Sequence, residues 1–416
     1  MSLNATPRGN RVHIALFGRR NAGKSSVINA LTNQEIAIVS DVKGTTTDPV
    51  YKSMELLPIG PVVIIDTAGL DDVGELGELR KKKTLEVLTK TDIALVVVDA
   101  AVGMTEYDHF IIGQVKERKL PMVVVLNKQD VAETSKDLLA EIKKEAGAPV
   151  IPVSAAEGTG ITTLKKAVTD CLPDDEDKFR IVGDLIAPGD FVVLVTPIDK
   201  AAPKGRLILP QQQTIRDILE SDAITIVTKE HELRETLENL GKKPSLVITD
   251  SQAFLKVAAD TPKDIPMTSF SILFARHKGD LVELIRGAKK IEGLQDGDKV
   301  LISEGCTHHR QADDIGRVKI PRWIRQMSGK NIEFEYTSGT QFTEDVQQYA
   351  LIVHCGACML NKAAMTHRID QARLFGVPIV NYGVLIAHVQ GILDRALKPF
   401  PMARMIWMEE QEEEIG

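Results

Sequence analysis

One run constrains the chain more than any other: Gly18-Arg-Arg-Asn21-Ala22-Gly23-Lys24-Ser25, directly behind the apolar stretch Val12-His-Ile-Ala-Leu-Phe17. It matches G-x-x-x-x-G-K-[ST] in a strand–loop–helix context, with Ser26-Val-Ile-Asn-Ala-Leu31 opening the helix. Glycines let backbone N–H groups turn inward around a phosphate, and the helix N-terminus adds a favourable dipole. Gly18, Asn21, Ala22, Gly23, Lys24, Ser25 and Ser26 are therefore candidate phosphate contacts. Lys24 is placed to reach the β- and γ-phosphates and the Ser25 hydroxyl to hold Mg²⁺.

Downstream segments repeat the pattern of an apolar strand that ends in polar residues. Val62-Val-Ile-Ile65 leads into Asp66-Thr-Ala-Gly69, where the carboxylate can hold Mg²⁺ through water and the Gly69 N–H can meet a γ-phosphate. Asp92 to Val98 and Met122 to Leu126 are continuous apolar strands, as a parallel sheet covered on both faces demands. The second runs into Asn127-Lys128-Gln129-Asp130. A carboxylate at Asp130 accepts from the guanine N1–H and exocyclic amine, which adenine cannot supply, so GTP is expected over ATP. Val150 to Val153 then delivers Ser154-Ala155-Ala156, placed to touch the guanine carbonyl.

At 416 residues the chain is too long for one hydrophobic core, and two to three domains are expected. The net charge of −7 argues against bulk nucleic-acid or anionic-membrane binding, which needs a basic surface. Lys81-Lys82-Lys83 reads as a solvated helix face. No signal peptide is visible, and no stretch approaches the ~18 apolar residues of a spanning helix. Four cysteines in this length do not form a disulfide framework. A cytoplasmic protein with reduced thiols is expected.

Three of those cysteines fall in two short pieces, Cys306-Thr-His308 and His354-Cys355-Gly-Ala-Cys358. Thiolates with adjacent imidazoles suit zinc or an iron–sulfur cluster. Each piece follows an apolar strand, Lys299 to Ser303 or Tyr349 to Val353, so both lie at the carboxyl edge where open α/β sheets form ligand sites. The ligand count fits either metal chemistry; a rim position on a domain with its own core favours a functional cofactor over a structural one. His308 and His354 are ligands or supporting residues. Cys171 reads as a small buried hydrophobe, and His309, His367 and His388 as surface or core residues.

Pro173 to Lys178 is a charged, proline-initiated break, and Thr261 to Pro266 marks a second. Strand and helix patterns alternate between and beyond them, implying parallel sheets with crossover helices. The fold class expected is α/β in three domains: a P-loop domain over 1–173, then two smaller α/β domains over 180–262 and 266–416. The last includes a helix from Asp314 to Met327, a final helix from Gly383 to Leu397 and an acidic tail. The middle domain carries no chemical constellation and is a candidate oligomerisation element.

Residues 8–172 resemble the GTPases of the Era and TrmE branch. Within that resemblance Gly44-Thr45-Thr46-Thr47-Asp48 looks like switch I, with Thr46 the Mg²⁺ ligand and Thr45 the fallback. Leu70 stands where Ras-like GTPases carry a water-orienting Gln, so slow unassisted hydrolysis is expected. In TrmE-like relatives the residue at Asn21 coordinates a potassium ion in place of an arginine finger. The resemblance thus implies K⁺ stimulation, G-domain pairing and a catalytic set of Lys24, Asn21, Thr46 and Gly69.

The whole chain resembles the FeFe-hydrogenase maturation GTPases of the HydF family, which join such a GTPase to a dimerisation domain and a cluster domain carrying C-x-H…H-C-x-x-C. Here the matching residues are Cys306, His308, His354, Cys355 and Cys358. That resemblance implies a self-associating GTPase scaffold holding a 4Fe-4S cluster. It would accept a di-iron precursor from two radical-SAM maturases and pass it to apo FeFe-hydrogenase, without nucleic acid or membrane as partners. Two rival readings are an RNA-modifying GTPase like TrmE and a regulatory GTPase with structural zinc.

Overall fold

The computed structural model describes residues 8–32, 49–67, 75–132, 134–172, 180–197, 207–305, 314–339, 342–343 and 345–412. The chain divides into two compact units, Met1–Asp174 and Asp175–Gly416.

The first unit is built on six strands: β1 (Val12–Phe17), β2 (Val50–Leu56), β3 (Gly60–Asp66), β4 (Ile93–Asp99), β5 (Met122–Asn127) and β6 (Val150–Pro152). Their order is β2-β3-β1-β4-β5-β6, and β2 alone runs antiparallel to its neighbour. Every residue of β4 is buried, as its unbroken apolar run requires of a strand covered on both faces. Two apolar clusters, one per face, pack the sheet against helices that include α1 (Lys24–Thr32) and the amphipathic Ile161–Asp170. Parallel register aligns the strand ends, Leu16 with Asp66, Phe17 with Val96 and Asp99 with Asn127. The motif residues are thereby delivered to one edge. The alternating edge strand β2, half exposed, is an addition to the strands read from the sequence.

The second unit holds two four-stranded parallel sheets. One contains Phe191–Val195, Ile224–Thr228, Leu246–Thr249 and Met267–Ser269, the last pairing with Leu246–Thr249. The break at Thr261 to Pro266 lies between the third and fourth strands of this sheet. The other runs β12-β11-β13-β14, with β11 Lys299–Glu304, β12 Glu333–Ser338, β13 Leu351–His354 and β14 Ile379–Asn381 when strands are numbered through the chain. A single apolar cluster from Ile181 to Trp407 runs through both sheets. Close packing is fixed at Gly287 in the helix Leu281–Lys289, where a Cβ would fall 2.0 Å from the Ile379 carbonyl oxygen.

Three expectations change. The helix expected from Gly383 to Leu397 is broken at Gly391, whose φ of +70° suits glycine. The result is Tyr382–Val389 followed by Leu393–Ala396. The acidic tail contains a helix, Pro401–Glu412, because Ala403 and Trp407 bury one face of it against the core. The segment from Asp314 begins as a π turn, Ile315–Lys319, and becomes α-helical only over Ile320–Ser328. Pro321 has no N–H to give back to the preceding turn, so the regular hydrogen-bond ladder resets there. Among the described residues no helix is long and apolar enough to cross a membrane.

His277 packs edge-on against Phe274 at 5.9 Å. Burial first, then the neighbouring Lys278, holds its pKa down at about 4. The unfolded chain takes up this proton near the ordinary value of about 6.5, whereas the folded chain resists until about pH 4. Stability is therefore lost as pH falls through that window. Urea unfolding between pH 7 and 4 should show a falling midpoint, with a shallower slope in His277→Gln; equal slopes would exclude this residue as the cause.

Candidate functional site

At the carboxyl edge of the first sheet, the loop from Gly18 to Gly23 is shaped by close approaches. Gly18 has φ +151°, and a Cβ there would lie 2.3 Å from the Val97 carbonyl oxygen. At Gly23, φ +90°, a Cβ would lie 2.2 Å from Asn127 Nδ2. Asn21 also sits at positive φ, 61°, a conformation asparagine tolerates better than most side chains. Ala22 is buried, and Ser26 lies exposed in the first turn of α1. Lys24 arches over the loop, its Nζ donating to the carbonyls of Gly18 (2.8 Å) and Arg19 (3.0 Å).

The Ser25 hydroxyl donates to Asp66 Oδ2 at 2.9 Å. Burial pushes the Asp66 carboxyl up, against the pull of Lys24, the Ser25 hydrogen bond and Lys52. A divalent cation at this pair would favour the charged carboxylate, opposing the effect of burial. Hydroxyl and carboxylate together are the donor set a Mg²⁺ ion uses beside a nucleotide. Thr45, Thr46 and Gly69 lie outside the described residues.

The base end is held by Asn127. Its Nδ2 donates to the Ala22 carbonyl (3.0 Å), and its Oδ1 accepts from the Ala155 N–H (3.1 Å). One side chain thus staples the phosphate loop to the Ser154–Ala155 turn, and the Ala155 N–H is engaged there rather than pointing freely to a base. Ser154 donates to Asp130 Oδ1 at 2.6 Å and fixes that carboxylate's orientation. Lys128, at φ +68°, pairs with Asp99 at 2.7 Å. Asp99 went unread in the sequence; its signal is an acid ending an all-apolar strand in register with Asn127.

The strand end at Gly305 and the piece from His354 to Cys358 meet at the carboxyl edge of the second unit's β11 and β13. Ser303 pairs with His354 in register, and the Cys355 N–H donates to the Ser303 carbonyl at 3.0 Å. The Gly305 N–H, one residue before Cys306, donates to Cys355 Sγ at 3.0 Å. Cys306 and His308 themselves lie outside the described residues. Cys355 and Cys358 are partly buried and in no disulfide, on a loop turned by Ala357 at φ +52°. Burial raises the Cys355 thiol, while the Gly305 and Ala357 N–H groups favour its thiolate.

His354 is fully buried. Its Nδ1 donates to the Cys355 carbonyl (2.7 Å), and its Nε2 accepts from Arg368 Nη1 (2.7 Å). Arginine can only donate, which fixes the tautomer. Burial and then Arg368 hold the imidazole pKa near 3, so it is neutral. Both ring nitrogens are engaged within the protein, and the ring supports the Cys355 peptide from behind. Among the described residues no three His, Cys, Asp or Glu side chains converge on one point. The pair that is described fits a soft metal: two thiols, an N–H donor on one sulfur, and a loop at a sheet's carboxyl edge. Cys171, partly buried in the first unit, packs with its apolar cluster, and burial followed by Asp170 raises its pKa. Arg368 and Lys278, both buried beside the loop, were not legible as site residues from spacing.

Removing a charged hydrogen-bond acceptor costs about 1.5–3 kcal/mol, or roughly 10- to 100-fold in affinity. Asp130→Ala should weaken GTP binding by about that factor in a titration with a fluorescent nucleotide, while leaving the preference between di- and triphosphate unchanged. Wild-type affinity in the variant would remove Asp130 from the base site.

Comparison with known proteins matches this division. Residues 282–399 fit a family profile described as the hydrogen maturase F tetramerization domain, and 181–279 one described as its dimerization domain. Residues 13–128 fit one described as a 50S ribosome-binding GTPase. GTPase Der of Nitratiruptor sp. is 39% identical over 154 residues, which are 35% of this chain and 33% of that protein. The tRNA modification GTPase MnmE of Laribacter hongkongensis is 36% identical over 162 residues, 39% of this chain and 35% of that protein. The chain thus spans about a third of the length of these curated relatives. A solved structure of Era from Aquifex aeolicus bound to GDP.AlF4- is 21% identical and covers 59% of this chain and 97% of its own, with a TM-score of 0.36. The chain belongs to the hydrogen maturase F family, as a GTPase whose nucleotide domain is followed by that family's two self-association domains.

Proposed function

We propose that this hydrogenase-maturation GTPase is a scaffold that carries a 4Fe-4S cluster and delivers a di-iron unit. Cys306, Cys355 and Cys358 would hold the cluster, with His308 and His354 beside them. The observation that supports this reading is the 3.0 Å bond from Gly305 N–H to Cys355 Sγ, which ties the residue before Cys306 to Cys355 across paired strand ends. A cluster held by these cysteines would supply the iron chemistry for taking up a di-iron precursor. The chain's own groups set the conditions: N–H donors favour the thiolate, and His354 and Arg368 fix the Cys355 peptide. The di-iron unit is cargo, received from two radical-SAM maturases and passed to apo FeFe-hydrogenase in the cytoplasm.

In this reading the chain has three functional parts: the nucleotide domain, a self-association part and a cluster part. GTP state gates the encounters with partners. Lys24 and the Gly69 N–H act on the γ-phosphate, and Ser25 and Thr46 hold Mg²⁺. Asn127, Lys128 and Asp130 hold the base, and Ser154 and Ala155 support them, Ser154 through Asp130 and Ala155 through Asn127. Asn21 helps bind a K⁺ ion that stands in for an arginine finger, a group worth about 10³–10⁵ in rate.

Anaerobic purification with iron and sulfide analysis and an absorption spectrum tests the scaffold reading. Iron and sulfide in near-equal amounts with a broad visible band support it; a colourless, zinc-replete protein contradicts it. GTP turnover in K⁺ and Na⁺ buffers tests the role of Asn21. Turnover should be faster in K⁺, and Asn21→Ala should abolish the difference; equal rates in the wild type would remove the K⁺ role.

A further inference from the structure

Helix Phe270–Lys278 falls within the dimerization match, yet its last side chain reaches the cysteine loop. Lys278 is 2% exposed, and its ammonium donates to the carbonyls of Ala357 (3.3 Å), Cys358 (3.2 Å) and Leu360 (2.8 Å). An ammonium has three N–H groups, and here three carbonyls of one turn receive them. The left-handed Ala357 lets those carbonyls converge. Phe274, one turn back on the helix, places its ring 5.6 Å from the same nitrogen and helps exclude water.

The same helix holds the neighbouring strand end as well. The Ser271 carbonyl accepts from Asn381 Nδ2 at 3.0 Å, and Asn381 pairs in register with His354. From the helix Lys362–Leu374, Arg368 donates to His354 and to Ser303 Oγ (3.2 Å). Two cations from two helices therefore flank the loop.

Burying a lysine costs several kcal/mol, and a helix end has many cheaper ways to finish. Burial pulls the Lys278 pKa down to about 8, and the Cys358 and Cys355 sulfurs oppose that fall. Were those sulfurs made anionic by a bound cluster, the ammonium would attract them strongly in such a dry wall.

We infer that Lys278 is a positioning residue of the cysteine site, fixing the turn that carries Cys358 and offsetting the negative charge of a thiolate-bound cluster. The inference rests on the cluster reading above. It makes a residue of the dimerization segment part of the metal site's support, which the cysteine and histidine motif does not include.

The test uses the full chain with Lys278→Met, Lys278→Gln and Lys278→Arg, each with and without iron and sulfide. Three readings are taken: cluster loss to a chelator, midpoint potential, and amide exchange over residues 356–360 in the metal-free protein. Lys278→Met should lose the cluster 10- to 100-fold faster, the usual cost of removing outer support at a metal site. Its midpoint potential should fall, because the more negative cluster state loses a nearby cation, and metal-free exchange should rise about tenfold. Lys278→Arg should restore the potential. Lys278→Gln, which keeps a donor without the charge, should recover exchange protection but not the potential.

Wild-type release and potential in Lys278→Met overturn the inference. Should that variant fail to fold, the same two results in Lys278→Gln overturn it. A wild-type chain that binds no iron refutes the cluster reading instead, and unchanged metal-free exchange in the variants then separately refutes the positioning role.

Discussion

The pairing of Ser303 with His354 is the constraint on which the second unit's candidate site depends. Parallel register brings two distant segments to the same sheet edge. A shift of one residue would turn the side chains of either strand to the opposite face. It would also break the bonds from Cys355 N–H to Ser303 and from Gly305 N–H to Cys355 Sγ. The apolar runs of these strands, buried on both faces, hold the register. The register therefore rests on apolar packing, unlike a small zinc module whose fold depends on the ion.

The nucleotide unit uses the same rule with different chemistry. Asp66, Asp99 and Asn127 each end a strand, and register sets them along one edge. There the ligand is an anion with its cation, so backbone N–H groups and a lysine face a carboxylate–hydroxyl pair. At the cysteine loop the thiols belong to the protein, and the nearby charges are the buried cations Arg368 and Lys278. Arg368 and Lys278 use hydroxyl, imidazole and carbonyl acceptors that stay neutral, so their charge remains available to the sulfurs.

Much of this was legible in the sequence because it is local. The phosphate loop, Asn127 to Asp130 and the Cys355–Cys358 spacing are contiguous, and each follows an apolar strand that can be read directly. Asp99, Lys278 and Arg368 were missed because their partners lie far away in sequence. A lysine ending a helix looks solvated until the loop that receives it is known. The helix Pro401–Glu412 reads as an acidic tail in the sequence because its charged residues dominate the composition, while Ala403 and Trp407 supply the buried face. The break at Gly391 is a backbone event inside an otherwise helical pattern. Candidates Thr46, Gly69, Cys306 and His308 stand on sequence pattern, whereas Ser25, Asp66, Asn127, Asp130, Cys355 and Cys358 also have geometry.

In the proposed scaffold, two strand ends would make one metal site from three cysteines. Iron per chain after anaerobic reconstitution, compared across single serine variants of Cys306, Cys355, Cys358 and Cys171, tests it most directly. The account expects iron to collapse in the first three and to stay at the wild-type level in Cys171→Ser. Full iron retention in Cys306→Ser, or loss only in Cys171→Ser, would contradict it.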